Sequence, residues 1–204
     1  QAGAQSIVAH LREDRRHIQD RDIKLLRRKI GTKLNLEMSI APEIVDIACG
    51  IKPHQVTLVP EKRRELTTEG GLDALGHQKK LKKVIAKLSS RGIEVSIFID
   101  PDKKQISAVP RTGAGIIELH TGRYAEAKTK AQRQSRFQEI VRAAEFARGL
   151  GLRVNAGHGL DYENVQMIAG IEGIEELNIG YSIICNSVFW GLENAVKKMR
   201  GLIR

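Results

Sequence analysis

The amino-acid sequence predicts an α/β protein built as a (βα)8 barrel, with a single domain over residues 1–204. Short β-branched or apolar runs alternate with segments of helical periodicity, which is typical of a parallel sheet with crossover helices. No linker, repeat array or low-complexity stretch interrupts the alternation. A closed barrel has eight strands and typically about 250 residues, whereas seven runs are visible here. We therefore expect the first βα unit to be largely missing. An open doubly wound sheet is the structural alternative.

Taken in order, the runs that predict strands are residues 6–12, 33–38, 55–61, 93–100, 115–120, 153–157 and 176–184. The residues before the first run, Gln1-Ala2-Gly3-Ala4, have no initiator Met and no secretory pattern. They resemble a helix end that runs into a strand, which is a second reason to expect an absent N-terminal segment.

Apolar residues spaced three or four apart predict the helices between the strands. The clearest sets are Leu81, Val84, Ile85 and Leu88, then Phe137, Ile140, Val141 and Ala144, and in the last helix Val188, Leu192, Val196 and Met199. Asp20 is a candidate N-cap for the first helix, because a carboxylate accepts hydrogen bonds from the free backbone N–H groups of a helix start.

Composition excludes several classes of protein. No apolar run is long enough to cross a bilayer, so we expect no membrane partner. Cys49 and Cys185 lie far apart without Cys or His partners at metal-binding spacing, which excludes a disulfide framework and a zinc knuckle. The formal net charge of +10 predicts attraction to anions. Nucleic acid is an alternative ligand on charge alone, but the aromatic content of 4% offers little for base stacking.

The predicted strands end with polar residues that could take part in catalysis, whereas their first residues suggest no such role. In a parallel barrel all of these ends meet at one mouth, where catalytic groups are found. The polar residues at the ends are His10, Arg12, Glu37, Glu61, Lys62, Arg63, Asp100, Glu118, His120, His158 and Tyr181. Because strand side chains alternate with period two, His10 and Arg12 share a face, as do Glu118 and His120. The sequence therefore predicts one mouth carrying acid–base groups.

Three loops have the composition of phosphate sites. Residues 155–160 (NAGHGL) and 178–182 (NIGYS) carry glycines after the last two strands, where barrel phosphate sites are common, although glycines also simply form turns. Residues 11–17 (LREDRRH) are rich in arginine, which suits bidentate phosphate binding; for Arg15 and Arg16 a surface ion-pair network is an equal alternative. The connection from Val59 to Leu72 is long enough for a lid hinged at Gly70-Gly71, or for a plain surface loop.

Five motifs resemble those of the pyridoxine 5'-phosphate synthase family. In order along the chain they are residues 10–17 (HLREDRRH), 35–38 (NLEM), 59–63 with 67–71 (VPEKR and TTEGG), 118–122 (ELHTG) and 154–160 (VNAGHGL). The resemblance covers nearly the whole chain. It implies a bacterial cytoplasmic barrel enzyme of the transferase class, usually a homo-octamer, that condenses 3-amino-2-oxopropyl phosphate with 1-deoxy-D-xylulose 5-phosphate. It implies no cofactor, metal or nucleic-acid partner.

The resemblance also implies roles for individual residues. His10 and Glu37 match proton acceptors and His158 matches a proton donor. Three further residues match positions that bind deoxyxylulose phosphate, namely Arg12, His17 and Thr67. The aminoketone phosphate site is matched by Gly159, Gly180 and Tyr181. The family usually has His where this chain has Tyr181, so altered affinity is expected there, and its first-strand substrate residues have no counterpart in this sequence.

The residues leave a second enzyme class open. Another sugar-phosphate barrel, such as an aldolase, an isomerase or a thiamin-type synthase, would keep the phosphate loops and reassign the acid–base groups. Schiff-base chemistry needs a strand-end lysine, and Lys62 is the one at a predicted strand end.

Overall fold

The computed structural model describes residues 2–61 and 70–203, which contain one parallel sheet. Its strands, in the same order along the chain and across the sheet, are β1 (Ser6–His10), β2 (Lys33–Met38), β3 (Gln55–Leu58), β4 (Glu94–Ile99), β5 (Ile116–His120), β6 (Arg153–Gly157) and β7 (Ile174–Asn178). A doubly wound sheet would reverse its strand order partway, so the sequential order excludes that alternative. The sheet curls into a half-barrel, and the predicted α/β fold of the barrel type is confirmed.

Helices connect the strands. They are α1 (Asp20–Lys29), α2 (Pro42–Ile51), α3 (Gln78–Ser89), α4 (Lys103–Thr112), α5 (Gly122–Ala125), α6 (Lys130–Gly149), α7 (Val165–Ala169), α8 (Tyr181–Trp190) and α9 (Leu192–Leu202). The apolar stripes predicted for α3 and α6 pack in or against the core, as shown by buried Leu81, Ile85 and Ile140. Asp20 is the first residue of α1 and not its N-cap; the preceding Gln19 holds that position, and its N–H donates to Asp22 at 2.9 Å.

Two kinds of side chain alternate along the strands. One set is apolar and buried in the core, for example Leu36, Ile97 and Leu119. The other set is mostly polar and comprises Asn35, Glu37, Thr57, Ser96, Glu118, His120 and Asn155. Because neighbouring residues of a strand point to opposite faces, the first set packs under the helices and the second lines the concave side. The polar functional residues therefore share one face of the sheet.

The prediction for the last strand was wrong. β7 ends at Asn178, and residues 181–184 belong to α8. The periodicity of a short apolar run does not distinguish a strand from a helix. The isoleucines on both sides of Gly180 therefore fitted one continuous strand. The predicted last helix is likewise two helices, which meet at Gly191 with φ of +75°.

One face of α8 is apolar and exposed. It consists of Tyr181, Ile184, Val188, Phe189 and, at the start of α9, Leu192. Val188 and Leu192, two members of the apolar stripe predicted for the last helix, are 81% and 55% exposed in this structure. The helix α8 follows β7 in the chain, and β7 forms one edge of the sheet while β1 forms the other. A large exposed apolar patch marks a surface that another element or chain covers.

Candidate active site

The register between β1 and β2 places His10 directly opposite Glu37. The His10 Nδ1 atom lies 3.8 Å from Glu37 Oε2, and His10 Nε2 lies 3.0 Å from Glu61 Oε1. Glu61 follows β3, and its other oxygen accepts the backbone N–H of Glu13 at 2.7 Å. The imidazole is thus held between two carboxylates that reach it from two different segments. His10, Glu37 and Glu61, which were all predicted to lie at one barrel mouth, are therefore neighbours.

Burial changes the proton affinity of this group. Desolvation raises the pKa of Glu37 from 4.5 to about 7. Desolvation also lowers the pKa of His10, an effect that the charge of Glu61 opposes. A carboxyl group with a pKa of about 7 can exchange protons with a substrate near neutral pH, and burial favours the neutral imidazole of His10, which is the form that accepts a proton. These two residues therefore suit proton transfer.

Glu118 is the most deeply buried carboxyl group near them. Its side chain accepts a 2.7 Å hydrogen bond from Asn178 Nδ2. Burial raises the pKa of Glu118 well above its usual range, and the nearby charge of Glu37 raises it further. Gly157 on β6 makes room for it, because a Cβ atom there would lie 2.3 Å from Glu118 Oε1. Burial therefore favours the protonated form of Glu118, which can donate a hydrogen bond.

Sequence reasoning placed Glu118 at a strand end and assigned it no role. The signal that could have found it is a glutamate between isoleucine and leucine in β5, a strand whose residues are all buried. A buried carboxyl group needs either a partner or a proton.

His158 follows β6 and takes a φ of +79°, a backbone region that few residues other than glycine adopt. The Thr121 hydroxyl donates to the carbonyl oxygens of Gly157 at 2.7 Å and His158 at 2.6 Å, which holds this turn. Desolvation lowers the pKa of His158, and the charge of His120 adds to that effect. Gly159, with φ of +77°, packs so closely that a Cβ atom would lie 2.7 Å from Ala125 Cβ.

The arginines of the loop after β1 form ion pairs. Arg12 is buried and lies 3.4 Å from Asp14, and Arg16 binds the same carboxylate at 2.6 Å. Arg15 contacts Asp20 at 2.8 Å and also Glu43. The hydrogen bond from Arg16 lowers the pKa of Asp14 to about 2. For Arg15 and Arg16 the ion-pair alternative describes the structure, while Arg12 is buried and its charge lowers the pKa of His10.

The other predicted residues that the structure describes lie in the loops around the site. Ser182 at the start of α8 donates to the Leu160 carbonyl at 2.9 Å, so the loops that carry Gly180 and Gly159 adjoin. The Tyr181 side chain is 86% exposed at the first position of α8. His17 is exposed in the loop after β1. Thr67 and the other residues predicted for the lid, 62–69, lie outside the described residues.

Within residues 2–61 and 70–203, no group of three His, Cys, Asp or Glu side chains is arranged to hold a metal ion. None of the helices there has the length and apolar character needed to cross a bilayer.

A curled parallel sheet with acid–base side chains at the carboxyl ends of its strands defines a TIM-barrel-like enzyme. Solved structures agree on the fold. A 4-hydroxy-2-oxoglutarate aldolase/2-deydro-3-deoxyphosphogluconate aldolase from TTHB1 superposes with a TM-score of 0.67 at 13% identity, covering 100% of this chain and 83% of that one. The tryptophan synthase A-subunit of Pyrococcus furiosus gives 0.60 at 15% identity, covering 89% and 72%.

Sequence comparison then narrows the class. The family model described as pyridoxal phosphate biosynthesis protein PdxJ matches residues 1–204. A pyridoxine 5'-phosphate synthase of Synechococcus sp. is 57% identical over 98% of this chain and 83% of its own length. The enzyme of that name from Coxiella burnetii is 57% identical over 100% of this chain and 85% of its own length. The chain belongs to the PdxJ family, and the prediction of this family from five motifs is confirmed.

Proposed function

We propose that the chain condenses 3-amino-2-oxopropyl phosphate with 1-deoxy-D-xylulose 5-phosphate to give pyridoxine 5'-phosphate, inorganic phosphate and water. The observation that carries this proposal is the buried acid–base group on the concave face, where Glu37 has a pKa of about 7 beside His10. Ring closure with loss of water and phosphate requires several proton transfers. Relatives that are 57% identical carry the name of this activity.

In the proposed mechanism Glu37 and His10 accept protons and His158 donates one. Glu61 supports His10 as an acceptor, because its negative charge stabilises the imidazolium that forms when His10 takes up a proton. Glu118 stays protonated and donates a hydrogen bond to negative charge that develops on a substrate oxygen. The roles follow from the environments: the two neighbouring carboxyl groups have different burial and partners, so one serves as a base and the other as an acid.

Cationic and backbone groups bind the two phosphates in this proposal. Arg12, His17 and Thr67 bind deoxyxylulose phosphate. Gly159 and Gly180, with Tyr181, bind the aminoketone phosphate, since glycine lets backbone N–H groups approach an anion closely. The hydrogen bond between Ser182 and Leu160 supports this assignment by keeping the two glycine loops adjacent.

The test is product formation. Purified enzyme incubated with both phosphates is expected to release pyridoxine 5'-phosphate and inorganic phosphate in equal amounts, measured by fluorescence and a phosphate assay. Release of neither product from an enzyme that binds both substrates contradicts the proposal. Borohydride inactivation in the presence of a ketose phosphate would instead indicate the Schiff-base chemistry of an aldolase.

The oligomeric state of the protein and the closure of its barrel are the subjects of two further proposals. We propose a cytoplasmic homo-oligomer, with an octamer as the expected size, and an additional βα unit that closes the barrel. The apolar α8 face and the open edge strands β1 and β7 support the extra unit. Light scattering of the longest natural form of the protein measures the assembly. Accessibility of Cys185 on α8 to a thiol reagent distinguishes a covered helix from an open one.

A further inference from the structure

Asp100 and His120 form a hydrogen-bonded pair next to the proposed site. Asp100 follows β4 and His120 ends β5, and Asp100 Oδ1 lies 2.9 Å from His120 Nδ1. That contact, together with the backbone N–H of Gly71, lowers the pKa of Asp100, so its carboxylate is ionised. An ionised carboxylate only accepts hydrogen bonds. The proton of this bond therefore sits on His120 Nδ1 in both the neutral and the charged form of the ring, and Asp100 sets the orientation of the ring.

The ring of His120 in turn packs edge-on against His158. The two ring centroids are 4.9 Å apart and the planes cross at 69°. Phe98 lies beside both rings, with its ring centroid 5.0 Å from that of His120 and 6.3 Å from that of His158. His120 is 7% exposed, and its Nε2 atom has no hydrogen-bond partner among the described residues. This cluster of rings leaves His158 little freedom to turn.

Gly122 completes the contact from the side of α5. A Cβ atom at this position would lie 2.5 Å from His120 Nε2 and 3.1 Å from His158 Cδ2. The space beside the two rings is therefore filled by glycine backbone alone. His158 also has the φ of +79° noted above, and a strained conformation persists only where its surroundings enforce it.

We propose that Asp100 and His120 are a positioning pair: Asp100 orients His120, whose ring then holds the His158 imidazole in the orientation needed to donate a proton. This inference rests on the proposed function, because it takes His158 as the proton donor. A carboxylate that fixes one imidazole through its Nδ1–H is a general way to hold a catalytic group in one tautomer. Here the carboxylate fixes His120, which does not itself donate the proton but contacts His158, the residue that does.

The direct test is Asp100→Asn, which keeps the side-chain shape and removes the charge. We expect kcat to fall by about tenfold to a hundredfold, within the contribution of one general acid, while KM for both substrates stays within about twofold. Asp102→Asn is the matched control. It removes the same charge two residues away, and asparagine still caps α4 as Asp102 does. Equal losses in the two variants, or a kcat unchanged in Asp100→Asn, would overturn the proposal.

A second readout does not depend on activity. The titratable and charged groups around this cluster are His120, Asp100, Glu126 and Arg123. His120→Gln removes the charge that lowers the pKa of His158, so that pKa should rise toward its ordinary value in an NMR titration of the free enzyme. An unchanged pKa contradicts the coupling. If wild type forms no product, the proposed function fails, yet this titration still decides the positioning pair.

A third variant perturbs the same two rings and leaves Asp100 unchanged. Gly122→Ala crowds His120 and His158 from the opposite side. It should lower kcat with little change in KM, and an unaltered kcat counts against the pair.

Discussion

The charge of Glu37 on β2 raises the pKa of Glu118 on β5, so the two carboxyl groups are coupled across the concave face of the sheet. Glu37 is only partly covered, with its side chain 25% exposed, whereas Glu118 is fully enclosed and bonded to Asn178. The more accessible group has a pKa of about 7, and burial favours the protonated form of the enclosed one. Like charges in one low-dielectric site separate their proton affinities in this way, and the separation underlies the acid and base roles proposed above.

Replacement of Glu37 by Gln should remove the base while keeping the shape of the side chain. We expect kcat to fall by about a hundredfold or more, with KM changed much less, in steady-state assays of product. Glu43→Gln is a control of the same chemistry, since Glu43 is exposed at the start of α2. A Glu37→Gln enzyme as fast as wild type would remove Glu37 from the mechanism.

The same variant should change the pH dependence of stability. The folded-state pKa of Glu37, about 7, lies above its ordinary value of 4.5, so its contribution to stability is fully present below about 4.5 and is lost as the pH rises through about 7. Glu37→Gln has no such loss. Relative to wild type it should gain up to about 3 kcal/mol in unfolding free energy between pH 5 and pH 8. Denaturant titrations at both pH values measure this, and parallel wild-type and variant curves would contradict it.

The pH dependence of activity should show the ionisation of Glu37 near pH 7. Glu37 accepts a proton only when ionised, and its pKa is about 7 in the free enzyme. A plot of log kcat/KM against pH is therefore expected to contain an ascending inflection near pH 7 from Glu37, opposed by a descending one where the donor His158 loses its proton, and Glu37→Gln should lack the ascending inflection. A midpoint near 4.5 would mean that the carboxylate is not desolvated in the working enzyme.

Replacement of Glu61, the negative partner of His10, should change the pKa of the His10 imidazole. The charge of Glu61 and its 3.0 Å contact raise the pKa of His10, against the larger effect of desolvation. Glu61→Gln should therefore lower the pKa of His10 further, as followed by NMR of the imidazole. The variant should also weaken proton uptake and reduce kcat by about tenfold. A higher His10 pKa in this variant would refute the proposed contact.

Gly157→Ala should perturb Glu118 directly. The added methyl group would lie 2.3 Å from Glu118 Oε1 and 3.0 Å from the Asn178 carbonyl oxygen, both in buried surroundings. Overpacking of this kind costs about 1–3 kcal/mol of stability, and the displaced carboxyl group should reduce kcat as well. Gly115→Ala is the matched control, because a Cβ atom there meets no other atom within 4 Å. Thermal unfolding that does not separate the two variants would contradict the close contact.

Much of the fold follows from local patterns. The parallel alternation, the stripes of α3 and α6 and the convergence of polar strand ends depend on period-two and helical spacing, which a linear sequence displays. The end of the chain was different. Apolar residues on both sides of Gly180 fitted a strand, and the stripe through Val188 and Leu192 suggested one buried helix. Which of these residues are covered depends on what packs against α8, and spacing along the chain carries no information about that.

The sequence by itself determined the family, the barrel type and the identity of His10, Glu37 and His158 as candidate acid–base groups, because these depend on residue types in a fixed order. Folding decided what those groups can do. The raised pKa values of Glu37 and Glu118 depend on surroundings that remote segments supply. The contact of Glu61 with His10 and the contacts from Asp100 through His120 to His158 also join segments that are remote in the chain. Desolvation and charge coupling depend on distance in space, so only the tertiary structure specifies them.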